Sequence, residues 1–304
     1  MKPFDAITLF SALLFSPLLF GIINRIKAMF AGRNGSPLLQ TYFDIFKLFR
    51  KNMIYGNSTT LVFQLAPAGI LAALIVALLL IPWGPIEAPI SFSGDFILLA
   101  YLLGLSRFLT VIAALDTGSS FEGMGASREV TFAALGEPTF MLGALLLAIH
   151  TGESSLSRIF GSIQLTELHP TGTTITLLVA AWMILLLTEN SRIPVDDPNT
   201  HLELTMIHEV MVLDTGGPLL GIVTYASAIK IWIFSALISN LVFPHLFEKP
   251  AMQTVGVAVG IIFVAVVVGI IESIMGRIRL RNIPKLLVGA TALVATGLLM
   301  TLAG

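Results

Sequence analysis

Cysteine is missing altogether from the 304 residues, and charge is scarce: Lys, Arg, Asp and Glu together make up 12%. Without thiols the chain can hold no disulfide, no thiolate-held iron–sulfur cluster and no zinc–thiolate site. Any redox centre it serves must therefore sit on another chain. A soluble domain carries about 25% charged residues. The deficit here runs the whole length and leaves too little polar surface to coat a globule in water. A net charge of −1 gives no basic footprint for nucleic acid. No HExxH motif and no other trusted metal spacing occurs, so no metal site is expected. There is no internal repeat and no linker long enough to separate domains, so residues 1–304 read as one transmembrane domain. No small-residue cleavage site precedes Asn24-Arg25, so the first apolar run is expected to remain as a helix.

What is abundant is hydrocarbon: 56% of the residues are hydrophobic, and the mean hydropathy is +0.91. Eight apolar runs reach spanning length, near 5–24, 61–82, 96–115, 131–150, 172–189, 217–240, 254–273 and 285–303. Each would give roughly 27–36 Å of helix, enough to cross a bilayer. Backbone groups in lipid must be satisfied internally, so the runs are expected to be helices. The fold class expected is an all-α polytopic membrane protein of about eight transmembrane helices, with short amphipathic helices on the cytoplasmic side.

Orientation follows from the basic residues. Twelve fall on one side, namely Arg25, Lys27, Arg33, Lys47, Arg50, Lys51, Arg128, Arg192, Arg277, Arg279, Arg281 and Lys285, against Lys2, Arg158 and Lys249 on the other. Arg107 and Lys230 lie inside spans. This bias predicts both termini outside the cytoplasm. After Ser36-Pro37, apolar Leu38, Leu39, Tyr42, Phe43, Ile45, Phe46, Leu48 and Phe49 alternate with Gln40, Asp44, Lys47, Arg50 and Lys51. That pattern suits a helix lying in the membrane interface, either as an anchor or as a platform for a soluble partner.

Acidic groups in or near apolar spans cost several kcal/mol to bury in lipid, which makes them informative. Glu137 lies about six residues, or ~9 Å, into the fourth span, with Pro138 after it. Glu189 closes the fifth span and Glu272 lies just before the end of the seventh. Arg107 is a deeper counter-charge. Snorkelling or pairing at helix ends is the plain alternative for Glu189 and Glu272, with Arg192 and Arg277 close in sequence. The segment from Glu189 to Asp214 is dense in acids and holds His201 and His208. Its Thr200-x-x-Glu203 resembles a capping box and predicts a helix over about 201–213, with Leu202, Met206, Val210 and Leu213 as an apolar stripe. The stretch Leu115–Glu129, with Gly118, Gly123 and Gly125, reads as a loop.

Several motifs together resemble the subunit 1 family of respiratory complex I, in its membrane-bound [NiFe]-hydrogenase (formate hydrogenlyase-type) branch. They are Arg33-Asn-Gly-Ser-Pro-Leu-Leu-Gln-Thr-Tyr-Phe-Asp-Ile-Phe-Lys, Leu115-Asp-Thr-Gly-Ser with Gly-Ala-Ser-Arg-Glu129, Glu137-Pro, Glu189-x-x-Arg-x-Pro-x-Asp196, and Glu272 followed by Arg277-Ile-Arg279. The likeness covers nearly the whole chain. It implies eight tilted helices around an internal cavity and a non-catalytic membrane anchor in the cell (inner) membrane. The anchor would link electron transfer in a soluble arm to proton or Na⁺ movement. Implied partners are hydrogenase-like large and small subunits, a ferredoxin-like iron–sulfur subunit and antiporter-like membrane subunits, with the [NiFe] and iron–sulfur clusters on those partners. Quinone binding, as in complex I itself, stays open. The resemblance assigns ion coupling to Glu137, Glu189, Asp196, Glu203 and Glu272. It assigns counter-charge to Arg107, Arg128, Arg192 and Arg277, and a partner surface to Arg33, Asp44, Lys47, Asp116 and Glu129. In this sequence Asn199 and His201 stand where the family usually has carboxylates. Two rivals are weaker. A prenyltransferase would need a second aspartate motif to match Asp196-Asp197, and a stand-alone transporter commonly shows two related halves.

Overall fold

The computed structural model describes residues 3–56, 58–163, 171–196 and 206–303. The helices follow in chain order as α1 (Pro3–Phe30), α2 (Gln40–Phe49), α3 (Leu61–Leu78), α4 (Asp95–Asp116), α5 (Ser120–Thr151), α6 (Leu156–Ser162), α7 (Thr171–Glu189), α8 (Gly217–Val242), α9 (Pro250–Ile274) and α10 (Ile283–Ala303). Eight of these are long and apolar enough to cross a membrane, all but α2 and α6. No strand occurs among the described residues.

The punctuation is local chemistry. Pro218 and Pro250 open α8 and α9 within the first turn, where a missing N–H costs nothing. The expected span 61–82 ends as a regular helix at Leu78. Leu79, Leu80 and Ile81 then bond three residues back, at 3.1, 3.1 and 3.2 Å, a tightened last turn before Pro82. At the start of α3, Thr60 accepts from the Val62 N–H at 3.2 Å. Asp116, from the far end of α4, accepts from the N–H groups of Thr60 and Phe63 at 2.7 and 3.3 Å.

Two expectations are corrected. The stretch read as a loop over 115–129 bends only at Gly118, where φ is +71°, and is helical from Ser120 onward. Gly123 and Gly125 are helical residues, and Gly125 is small because Val210, the Ile207 carbonyl and Met211 press against it. The result is a 32-residue α5, about 48 Å long, whose first turns extend beyond a ~30 Å hydrocarbon layer. The α-helix expected over 201–213 does not form in its described portion. Met206–His208 are not helical, and only a single 3-10 turn, Glu209–Val212, follows. Asp196 takes the N–H groups of Ile207 and His208 at 3.0 and 3.1 Å, pinning that backbone in another course. His201, Leu202, Glu203 and Thr205 lie outside the described residues.

Chain direction and cross-links define two ends. At the basic end the Asp116–Thr60 tie joins a hydrogen bond from the Asp214 N–H to Glu122 (2.9 Å) and one from the Ile278 N–H to the Pro194 carbonyl (2.9 Å). At the opposite end Asn240 accepts from the Gly84 N–H and donates to the Pro82 carbonyl. Asp95 there accepts from the Leu156 N–H at 2.7 Å and from Ser155, capping α6.

Helix α8 is the centre: 78% of its spanning window is buried, against 22–44% for the other seven. Helix α3 packs along α4, α10 against α7 and α5, and α1 along α9. Lipid tails are as apolar as leucine, so close fit and polar contacts hold such helices together. At Gly260 an added Cβ would strike Ser239 and Phe243 of the α8 region, and at Gly143 it would lie 2.5 Å from the Trp182 indole nitrogen. The outer helices expose large apolar side chains such as Phe10, Leu65, Tyr101, Phe108, Val255 and Leu299, a surface for lipid or neighbouring membrane chains.

Candidate functional site

The site begins with Arg107 on α4. It is 8% exposed and offers three nitrogens to three carboxylates. Nη1 donates to Glu137 at 2.7 Å, Nη2 donates to Glu189 at 2.5 Å, and Nε stands 3.6 Å from Glu129. A guanidinium suits this task, because its five donors are fixed in a plane and it keeps its proton. Glu129 and Glu137 sit eight residues apart on α5, and Glu189 closes α7. The second oxygen of Glu189 lies 2.8 Å from the ammonium of Lys230 on α8. Four helices thus bring five charged groups together. Among the described residues three carboxylates face one guanidinium and one ammonium, so full ionisation leaves one negative charge without a partner.

Two smaller arrangements lie nearer the basic end. Glu272 is fully buried at its side chain. It lies 2.8 Å from Lys27 and 3.4 Å from Arg192, and the Arg192 guanidinium stacks 4.5 Å from the Phe20 ring centroid. Asp196 is 1% exposed and accepts from Arg277 at 2.9 Å as well as from two backbone N–H groups. Sequence neighbours are therefore not partners. Arg192, three residues after Glu189, serves Glu272. Arg277, five after Glu272, serves Asp196.

Three hollows follow the charges. One of about 160 Å³ lies between α4, α5 and α7, lined by Tyr101, Gly104, Arg107, Glu137, Phe140 and Glu189 among others. A second, about 30 Å³, lies on the Glu129 side of Arg107 and also touches Lys230 and His208. A third, about 260 Å³, opens among α1, α2, α8 and the stretches 190–192 and 208–212, with Asp44, Arg192 and His208 in its wall. His208 lies outside the spans. Burial drops its ring below the ordinary histidine range, so it rests neutral.

Of the residues expected to couple ions, Glu137 and Glu189 meet at Arg107. Glu272 and Asp196 are held in the two separate pairings, and Glu203 lies outside the described residues. Glu137 keeps 57% of its side chain exposed, so it sits at the outer edge of the site. Of the counter-charges, Arg107 is the hub, Arg192 and Arg277 serve as described, and Arg128 donates to the Met206 carbonyl at 2.7 Å. Of the residues assigned to a partner surface, Arg33, Asp44 and Lys47 are exposed. Asp44 accepts from Gln40 at 2.9 Å. Asp116 ties α4 to the start of α3, and Glu129 points inward to Arg107 with 15% of its side chain exposed. Sequence reasoning left Lys230 out of the site. Its signal was a lysine within a 26-residue apolar helix, an expensive position that marks function by itself.

A family model described as NADH dehydrogenase matches residues 4–303. Hydrogenase-4 component C of Escherichia coli (strain K12) is 32% identical over 232 residues, covering 76% of this chain and 72% of that protein. Formate hydrogenlyase subunit 4 of the same organism is 28% identical over 293 residues, 93% of this chain and 92% of that one. Among solved structures, a chain of the membrane-bound sulfane sulfur reductase, an archaeal respiratory membrane complex, superposes with a TM-score of 0.83 over 98% of both chains. Its 22% identity makes that a likeness of fold. With a match over nearly every residue, the chain belongs to the NADH dehydrogenase family, the subunit 1 type of complex I.

Proposed function

We propose that this chain is the membrane coupling subunit of a complex I-like membrane-bound hydrogenase. The observation that carries the reading is the cluster of Arg107, Lys230, Glu129 and Glu189, buried between the helices, with Glu137 at its exposed edge; among the described residues it has one carboxylate more than it has cations. An unbalanced charge in a low-dielectric interior costs several kcal/mol, and a single proton removes that cost. Glu189 is held by two cations. Glu129, whose contact with Arg107 is the longest at 3.6 Å, is the natural seat of the proton. A change of field in a docked soluble arm then shifts which carboxylate holds it. The carboxylate oxygens face N–H donors, which favours H⁺ over Na⁺.

The basic end faces the cytoplasm in this reading, and the soluble partners dock there on the surface that holds Arg33, Asp44 and Lys47. Those partners are hydrogenase-like large and small subunits and a ferredoxin-like subunit, which carry the metal centres. The two relatives named as hydrogenase and formate hydrogenlyase components support this choice. The exposed edge of Glu137 between α4 and α5 calls for cover by a polar group of an antiporter-like membrane partner, since lipid would offer it nothing.

A second reading, quinone reduction, is favoured by the 260 Å³ hollow, whose wall mixes Phe20, Leu220 and Val223 with Thr41, Asp44 and His208. Phe20 and Val223 would hold a quinone ring there, with Thr41 and Thr224 as polar partners. The quinone would supply two-electron acceptance.

The test uses membrane vesicles holding the assembled complex, with ion uptake followed during hydrogenase turnover. Glu137→Gln is expected to lower coupled ion uptake severalfold while the partners still co-purify. Unchanged uptake would remove Glu137 from the mechanism, and turnover that depends on added quinone would favour the second reading.

A further inference from the structure

We propose that His208 passes protons between the large hollow at the basic end and the carboxylate cluster. The assignment rests on the ion-coupling reading above and gives it a route inward. Among the described residues the 260 Å³ and 30 Å³ hollows share a wall of three side chains, His208, Val223 and Ser227. Val223 is hydrocarbon. The Ser227 hydroxyl donates to the Val223 carbonyl at 3.0 Å and does not titrate near neutral pH. An imidazole alone of the three can take a proton on one nitrogen and release another from the second within that range.

The setting fits the task on both sides. In front, Asp44 of α2, Glu209 and Arg192 line the large hollow with His208. Behind, Glu129 of α5, Arg107 of α4 and Lys230 of α8 line the small one, which has room for one or two waters. Asp196 and Glu189 complete the charged groups acting on the ring. The backbone at His208 is held in place, because its N–H donates to Asp196 at 3.1 Å and Asp196 is fixed by Arg277. Burial keeps the resting ring neutral, so it is ready to accept.

The step balances without any electron moving. A water-borne proton in the large hollow adds to one ring nitrogen and gives an imidazolium. Once Glu129 has passed its own proton to another carboxylate of the cluster, the proton on the other ring nitrogen crosses one water to the Glu129 carboxylate, which becomes the acid again. The ring returns to neutral as the other tautomer, and a ring flip or the reverse exchange resets it.

The test uses the assembled complex in vesicles and compares the unaltered chain with His208→Gln and His208→Glu, reading coupled proton uptake over pH and, separately, electron transfer by the soluble arm. His208→Gln is expected to lose coupled uptake at least tenfold with arm activity kept within twofold. His208→Glu, which restores a titrating group, is expected to stay within threefold of the unaltered chain with a displaced pH profile. Uptake by His208→Gln at the unaltered rate and pH profile overturns the role of His208 alone. If the Gln variant does not assemble, the Glu variant decides: loss of its coupled uptake overturns the role. No proton uptake by the unaltered complex removes the ion-coupling reading and this assignment with it.

Discussion

Arg107 and Lys230 do different work for the same carboxylates, and their substitution should separate them. Among the described residues Arg107 pairs with three acids and Lys230 with one, Glu189. Removing one partner of a buried pair typically costs about 3–5 kcal/mol. Arg107→Ala is expected to reach that range and Lys230→Met to fall below it, measured as thermal stability of the purified complex. Equal losses would show that the guanidinium is not the hub. His208 gives a pH signature of its own. Its folded-state pKa is depressed, so the unfolded chain binds a proton that the folded chain refuses. Stability is therefore full above about pH 6.5 and falls as pH drops from there toward the folded-state value. His208→Gln should flatten that region of a stability-against-pH curve, and an unchanged slope would assign it to another group.

Helix α9 depends on glycine where it crosses α8. Gly260→Val is expected to cost about 1–3 kcal/mol, because the new side chain meets Ser239 and Phe243 and the helices must move apart. Asp116→Ala should lower stability by less, because it takes only a capping acceptor from Thr60 and Phe63. Thermal unfolding of the two variants would rank them, and a milder effect at Gly260 would show that this crossing is loose.

The eight spans were legible in the sequence because apolar length alone decides them, although the first runs on to Phe30 and the fourth begins at Ser120 rather than near 131. Gly125 shows what was not legible. Three glycines in fifteen residues look like bends, yet Gly125 is small because the turn at Ile207–Met211 lies against it, a contact more than eighty residues away in sequence. The charge pairs failed for the same reason. Proximity in sequence suggested Glu189 with Arg192 and Glu272 with Arg277. The folded chain exchanges all four partners, since the side-chain geometry is set by α1, α4 and α8.

For the whole molecule, the distribution of charge matters more than its amount. The opposite end is tied by Asn240, Asp95 and serine hydroxyls, contacts that hold the hairpins without facing the Arg107 cluster. The basic end holds the 260 Å³ hollow, the two smaller ion-pair arrangements and the surface proposed for soluble partners. Between them lies a cluster on four helices, centred on the most buried one, with one carboxylate in excess. A shift of any of these helices changes the distances to Arg107, and this is how a redox event outside the membrane would be felt within it.

The most direct measurement is an infrared difference spectrum between the complex with the unaltered chain and the complex with Glu129→Gln, both near neutral pH. The account predicts loss of a carbonyl-stretch band of a protonated carboxylic acid in the Gln variant, a band that shifts in D₂O and changes during turnover. Loss of ionised-carboxylate bands alone would show that Glu129 carries no proton and would contradict the proposed charge balance at Arg107.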